Sequence, residues 1–432
     1  MSSALAQAPA AAPTSATTDA DRATIKELVE RVIALEGQVR MLQHQGATNQ
    51  GSGAAGAPSQ AADTGTPPES TSQAAAQGQS VASQSEPVPA QTTEPAGVYG
   101  GASSMAKALN PDIGIIGNFV SATGRNRINP SPSFTLQESE VSLQAVVDPY
   151  ARADFFLAFG EEGVEVEEGY VTFTAMPGGF VPRLGKMRAA FGRVNSFHNH
   201  NLPWVDRPLV TFNLMGGSLD EADIGIKDAG MSVSRVIPAP GGLFLEGTGQ
   251  VFRGDSGSLF QASRRSDVAV VGHLKAYKDL TESTNLELGG SYARGHNDAG
   301  ADTLTQLYGM DATFRWRPLR RSIYRSFAAR TEVMWSDREQ APLAQHAFGL
   351  YASTEYQFAR RWQGGLRFDW SERARNAALH DSGQALVLTF SPSEYNQIRG
   401  QFRRTQYAEG QTSNELLMQV LFTLGAHGAH PF

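Results

Sequence analysis

The chain contains no cysteine. That excludes disulfides, thiolate metal sites and cysteine nucleophiles, and it suits an exported protein that avoids oxidation errors. Lysine is scarce as well: there are six in 432 residues, so any basic surface must be built from Arg. The formal net charge of -7 argues against general nucleic-acid binding. No apolar run reaches 18 residues and mean hydropathy is -0.30, so no transmembrane helix is expected. Two architectures survive: two or three soluble domains, or one large membrane barrel whose polar lumen and loops dilute its apolar face.

The first 22 residues read as a disordered start. "SALAQAPA" has the small-residue pattern of a signal-peptidase site with no basic or apolar region before it, as in the remnant of a signal peptide. Residues 23–43 carry Ile25, Leu28, Val32, Leu35, Val39 and Leu42 at alternating spacings of three and four, the core positions of a short α-helical coiled coil. Beta-branched a positions with Leu at d suit a dimer. "RVIALE", Arg31 to Glu36, resembles the trimerisation motif of short coiled coils, and a trimer is the favoured reading. Residues 44–110 are an Ala/Gly/Ser/Pro-rich linker that cannot bury a core and is expected to be disordered.

From residue 111 to 432 the pattern changes to short alternating runs. In "WQGGLRFDWSER", Leu366, Phe368 and Trp370 fall on one face of an extended chain and Arg367 and Asp369 on the other. Sixteen such strands are predicted: 112–123, 134–147, 151–160, 164–176, 180–192, 223–237, 243–254, 266–279, 284–296, 303–317, 325–338, 344–359, 362–373, 384–392, 396–407 and 414–424. Even-numbered connections are brief, such as "DPY" and "ARR". Odd-numbered ones are mostly longer and more polar, the longest being 193–222. A sandwich or propeller has no reason to alternate loop length by parity. An outer-membrane barrel has one, with short periplasmic turns and long external loops. Trp and Tyr near strand ends agree, as at Trp335, Tyr356 and Trp362. The expected fold is therefore an all-β transmembrane barrel of about 16 antiparallel strands, with the apolar halves facing lipid and the charged halves facing water. An even strand count leaves both barrel ends on the periplasmic side. The terminal Phe432 resembles a barrel-insertion signal, although "GAHGAHP" separates it from the last strand.

Charge is segregated along the chain. Residues 134–170 hold nine acids against one base, and residues 315–404 hold fifteen Arg against eight acids. Alternation places Glu138, Glu140, Glu165 and Glu167 on an acidic lumen wall, and Arg330, Arg367, Arg399 and Arg403 on a basic one. Opposed walls would set a transverse field across the pore.

"SEVSLQAVVDPYARADFFLAF", "VEEGYVTF", "RLGKMRAAFGRVN", "DRPLV" and "DAGMSVS" together resemble the phosphate-selective porin-like outer-membrane channels of Gram-negative bacteria. The resemblance spans roughly residues 112–432. It implies a sixteen-stranded homotrimer whose third external loop folds inward. On that basis His198, His200, Trp204, Asp206 and Arg207 are the constriction candidates. Phosphate specificity is not carried over: the phosphate-selective members use a ladder of Lys and Arg, whereas this chain has six Lys in total and its basic wall is Arg. His198 and His200, two apart, have metal-ligand chemistry, but two donors without a third make no site, and neither metal nor cofactor is assigned. Ser196, His198 and Asp206 lie close in sequence without the strand–turn geometry of a triad, so no enzyme is expected.

The leading functional expectation is passive diffusion of small hydrophilic solutes or ions. The chain's partners would be the outer-membrane bilayer, two further copies and, through the coiled coil, periplasmic peptidoglycan; nucleic acid is not among them. The alternatives are a structural envelope anchor and a receptor for metal complexes. The receptor reading is the weaker, since the low-complexity segment before the barrel cannot fold into a plug.

Overall fold

The computed structural model describes residues 111–160, 163–216 and 224–425. The coiled-coil positions Ile25 to Leu42, the linker and Phe432 lie outside the described residues. The first seven strands are β1 (Asp112–Arg125), β2 (Phe134–Asp148), β3 (Ala151–Gly160), β4 (Gly163–Phe173), β5 (Phe180–Arg188), β6 (Lys227–Ile237) and β7 (Phe244–Phe252). A small separate hairpin follows, β8 (Asp255–Ser256) and β9 (Phe260–Gln261). Then come β10 (Ala269–Thr281), β11 (Thr284–His296), β12 (Leu304–Trp316), β13 (Ser326–Arg338), β14 (Gln345–Ala359) and β15 (Trp362–Arg373). The last three are β16 (Asn376–Ser393), β17 (Asn396–Gln406) and β18 (Thr412–Gly425).

Sixteen of these close into one antiparallel barrel. Each pairs with its neighbours in sequence, β7 pairs with β10 across the small hairpin, and β18 returns to β1. Closure leaves no open sheet edge, so the wall strands hydrogen-bond one another all the way round.

The alternation decides which way the wall faces. On β15, Leu366 and Phe368 are 58% and 44% exposed, while Arg367 and Asp369 are 4% and 2% exposed. The same inversion runs round the barrel: Leu386 and Leu388, Phe402, Leu416 and Met418 are exposed, and Arg403, Glu415 and Gln419 are buried. An all-round band of exposed large apolar side chains is the reverse of a water-facing surface and matches a hydrocarbon-facing one. A sandwich would have sequestered Leu366 and Phe368 between two sheets.

The sixteen expected strands are all present, with three local differences. β5 stops at Arg188, because residues 189–192 leave the wall and turn inward. The expected long connection after β15 is only 374–375; β16 begins at Asn376 and the pairing slips between Glu372 and Arg373. A register shift between Phe156 and Leu157 places one extra residue on β4, so Glu167 and Glu168 are both buried in succession.

Candidate constriction of the barrel lumen

The longest connection, 189–226, does not stand outside the barrel over its described residues, 189–216 and 224–226. Its neck is closed by Ala189 N–H donating to the Ile226 carbonyl at 2.9 Å. Asn195 staples the same neck from within. Its Nδ2 donates to the carbonyls of Ala189 and Ile226 at 2.8 and 3.1 Å, and its Oδ1 accepts from Ile226 N–H at 2.8 Å. Two glycines permit this path. Gly192 has φ +57°, and a Cβ there would lie 1.7 Å from Glu332 Oε1; Gly225 has φ +121°, with the Asn195 Oδ1 at 2.0 Å. Beyond the neck the chain makes two short 3-10 turns, Val194–Ser196 and Asn199–Asn201, then helix α1 (Leu209–Met215).

The apolar face of this segment packs on apolar side chains of the wall. Phe191, Leu202, Trp204, Val210, Leu214 and Met215 form one cluster with Leu307, Met334, Tyr351 and Val387. Trp204 meets Tyr351 edge-on at 5.2 Å. Leu259 and Phe260, around the β9 hairpin, join the same cluster. Each large apolar side chain fully buried this way contributes about 1.5–3 kcal/mol. A buried ion pair contributes near zero net, because desolvation offsets its attraction. Apolar packing therefore holds the segment inside, and the polar contacts fix its register.

At the level of the segment the inner face of the wall is covered. Asn118, Thr313, Glu332, Ser371, Gln401 and Gln419, from six different strands, are all 0% exposed. Here the inner wall faces the inserted segment and not open water: the long connection brings its own hydrophobic face, which composition alone did not reveal.

The basic wall binds the segment's tip. Asp206 accepts from Arg367 Nη2 at 3.0 Å, Arg403 Nη1 at 2.7 Å and Gln401 Nε2 at 2.5 Å. Arg367 also donates to the Asp206 carbonyl and to Asp369, both at 2.8 Å. Arg399 donates to the Trp204 carbonyl at 3.0 Å, and Arg403 to Glu415 at 2.6 Å. Arg367 and Arg403 thus share the three carboxylates Asp206, Asp369 and Glu415, while Arg399 donates to neutral oxygens. Burial would raise the Asp206 carboxyl, but Arg367 and Arg403 hold it down at about 2. Arg330, on β13, pairs with Glu355 and stands apart from this group.

The acidic wall receives the two histidines. His198 Nδ1 lies 2.8 Å from Glu140 and 3.1 Å from Glu167, and its Nε2 lies 2.7 Å from Glu168. His200 Nδ1 is 3.6 Å from Glu138. Burial alone would depress the His198 ring, yet Glu167, Glu140 and Glu168 raise it well above the ordinary range. Burial dominates at His200, which falls to about 4. Glu165 does not join them. It is 57% exposed at its side chain, paired with Lys186 and Lys227 at 3.0 and 2.9 Å.

Arg207 binds neither wall. Its guanidinium donates to Asn199 Oδ1 and to the carbonyls of Val194 and Phe197, tying the 3-10 turns together; burial, with Arg188 nearby, lowers it to about 9. A third attachment went unread in the sequence. Arg193 pairs with Glu287, Val194 N–H donates to Glu332, and Gly192 N–H donates to Ser291.

Two further expectations change. The walls are only partly opposed: β4 and β15 are seven strand positions apart round the barrel, but β2 and β17 only three. Charges of both walls are also paired with the inserted segment, Asp206 with Arg367 and Arg403 and His198 with Glu140 and Glu168. Nor do Ser196, His198 and Asp206 assemble, since His198 is engaged by carboxylates of β2 and β4 and Asp206 by Arg367, Gln401 and Arg403.

No family model matches the chain. It is 30% identical over 405 residues to an uncharacterized protein of Aquifex aeolicus, a match covering 78% of this chain and 83% of that one. The chain belongs to the family of that Aquifex protein. Among solved structures, OprB of Pseudomonas putida superposes with a TM-score of 0.50 over 74% of this chain and 95% of its own, at 9% identity. An anion-selective porin from Comamonas acidovorans gives 0.49 over 73% and 99%, at 10% identity. At such identities the likeness is one of fold: the wall is a porin-like sixteen-stranded barrel.

Proposed function

We propose that this protein is an outer-membrane porin of a Gram-negative envelope, passing small hydrophilic solutes or ions by passive diffusion, with residues 189–226 setting what can pass. The observation that carries this reading is the inserted segment itself, seated inside a closed barrel with an apolar exterior and tied to its walls by Asp206, His198 and Arg193. A barrel serving only as an anchor has no need of a polar-lined interior gated by a separate segment.

Two expectations belong to the same proposal. The short turns face the periplasm, so the coiled coil of residues 23–43 lies there, within reach of peptidoglycan. The working unit is a trimer. On the outer face of β7, β10 and β11, Gly247 and Gly290 flank the exposed Leu274 in register, and Gly249 pairs with Gly272, leaving a shallow area that a neighbouring copy's side chains can fill.

Planar-bilayer recording of the purified full chain tests the proposal. Discrete conductance steps closing in threes support it. An inserted protein that conducts nothing leaves the anchor reading. Reversal potentials of the wild type and of variants neutralised at Arg367, Arg399 and Arg403 then report ion preference.

A further inference from the structure

Four carboxylates converge beneath the inserted segment: Glu138 and Glu140 on β2, Glu167 and Glu168 on β4. Their side chains are 5%, 1%, 4% and 11% exposed. Arg188 of β5 pairs with Glu167 Oε1 at 2.9 Å and its backbone N–H donates to Glu168. Arg188 and His198 are two basic groups against four carboxylates, so acids remain in excess. A buried acidic excess must be neutralised, by a proton or by a cation.

The geometry identifies the cation's place. One oxygen each from Glu138, Glu140 and Glu167 and a ring nitrogen of His198 all lie within 4.8 Å of one another. His198 Nδ1 is 2.8 Å from the Glu140 oxygen and 3.1 Å from that of Glu167. His200 Nδ1 stands 3.6 and 3.9 Å from oxygens of Glu138 and Glu140. Donors bound to one metal at 2.0–2.1 Å in a tetrahedron are about 3.3 Å apart, so small side-chain shifts from these spacings would complete a coordination shell.

Two independent observations point the same way. Glu138 is 95% buried at its side chain, yet neither of its carboxylate oxygens has a hydrogen-bond partner, and it faces His200 and the cluster. The Nε2 of His198 is hydrogen-bonded to Glu168 at 2.7 Å. A carboxylate on the far ring nitrogen is the arrangement that orients a ligating imidazole, and a metal would take the place of the Nδ1 proton shared with Glu140 and Glu167.

We propose that Glu138, Glu140, Glu167 and His198 bind one divalent first-row transition-metal ion, with His200 as a fifth donor and Glu168 orienting His198. Mixed imidazole and carboxylate donors select Zn²⁺, Mn²⁺ or Fe²⁺ over Ca²⁺ and Mg²⁺, which prefer oxygen alone. Binding displaces a proton from His198, so affinity rises with pH. The ion would join the inserted segment to β2 and β4, and the site stands whether or not solute passes.

The test uses the full chain in detergent, stripped with chelator and titrated with Mn²⁺ under EPR and with Zn²⁺ by calorimetry. One ion per chain is expected, with nitrogen coupling to Mn²⁺ visible in electron spin-echo modulation of the wild type. Glu168→Gln should weaken binding 10- to 100-fold. Glu138→Gln should abolish it. Glu165→Gln and the double variant His427→Ala/His430→Ala should leave it unchanged. Wild type that retains no stoichiometric ion, or Mn²⁺ bound without nitrogen coupling, overturns the proposal. So does binding lost with His427 and His430. If Glu138→Gln fails to fold, the wild-type nitrogen coupling and the Glu168→Gln affinity decide.

Discussion

Replacing Asp206 by Asn should loosen the tip of the inserted segment without opening the barrel. The carboxylate accepts from Arg367, Arg403 and Gln401. In the variant each guanidinium keeps one carboxylate, Asp369 for Arg367 and Glu415 for Arg403. The loss is therefore smaller than orphaning a buried charge outright, which costs 3–5 kcal/mol. Two charge-assisted bonds are weakened, and the new amide N–H groups face donors, so about 3 kcal/mol is the expected loss. At about 1.4 kcal/mol per tenfold, the docked tip loses roughly two orders of magnitude in population relative to undocked forms. Trp204, Leu214 and Met215 stay buried, so the change is local. Single-channel recording should show frequent excursions to higher conductance in Asp206→Asn, while the thermal midpoint of the barrel in detergent moves little. Wild-type-like current with wild-type-like noise would refute the claim that Asp206 latches a constriction. A barrel that unfolds outright would refute the claim that the latch is local.

Other outcomes follow from the same contacts. Asp206 is held at about 2 against an ordinary 3.8, so it stabilises the docked segment above pH 3.8 by about 2 kcal/mol, and this is lost as pH falls from 3.8 towards 2; current noise should rise over that window in wild type and stay flat in Asp206→Asn. Asn195→Ala removes three hydrogen bonds at the neck, and with the buried Ile226 N–H left unpaired the segment should lose about 2–4 kcal/mol, read as faster proteolysis within 189–226 while the barrel persists. Leu366→Arg places a charge on the apolar exterior and should cost about 2–4 kcal/mol in lipid-vesicle folding titrations, whereas Arg367→Leu on the inner face should instead disturb the Asp206 latch.

The wall was legible because a barrel strand writes its two environments in alternate residues. Leu366, Arg367, Phe368 and Asp369 declare their faces without any tertiary information. The inward placement of Arg367, Arg399 and Arg403 followed from that alternation alone. Glu165 illustrates its limit: alternation gives a face but not a depth, and this side chain lies towards the solvent-exposed end of β4. The bulge opposite Phe156 and Leu157 shows another limit, since an added residue puts Glu168 beside Glu167 and no local pattern announces it. The inserted segment was recognisable by length, and its His198, His200 and Asp206 stood out as polar groups in it. What they touch was not recognisable. Asp206 meets Arg403 and Gln401 almost two hundred residues away, a pairing set by barrel topology and not by any spacing in the chain. Asn195 was passed over for the same reason: an Asn in a loop gives no sign that both ends of the loop close on it.

The central claim is that the segment between β5 and β6, through residues 189–216, occupies the lumen of a membrane-spanning barrel and restricts it. Ala189 and Ile226 are already hydrogen-bonded to each other, so the segment between them can be replaced by a short Gly-Ser bridge without moving β5 or β6. Single-channel conductance of that variant, set against the intact chain in the same bilayer, is the most direct measurement. The account predicts a severalfold larger, steadier conductance. Unchanged current, or no channel from either protein, would contradict it.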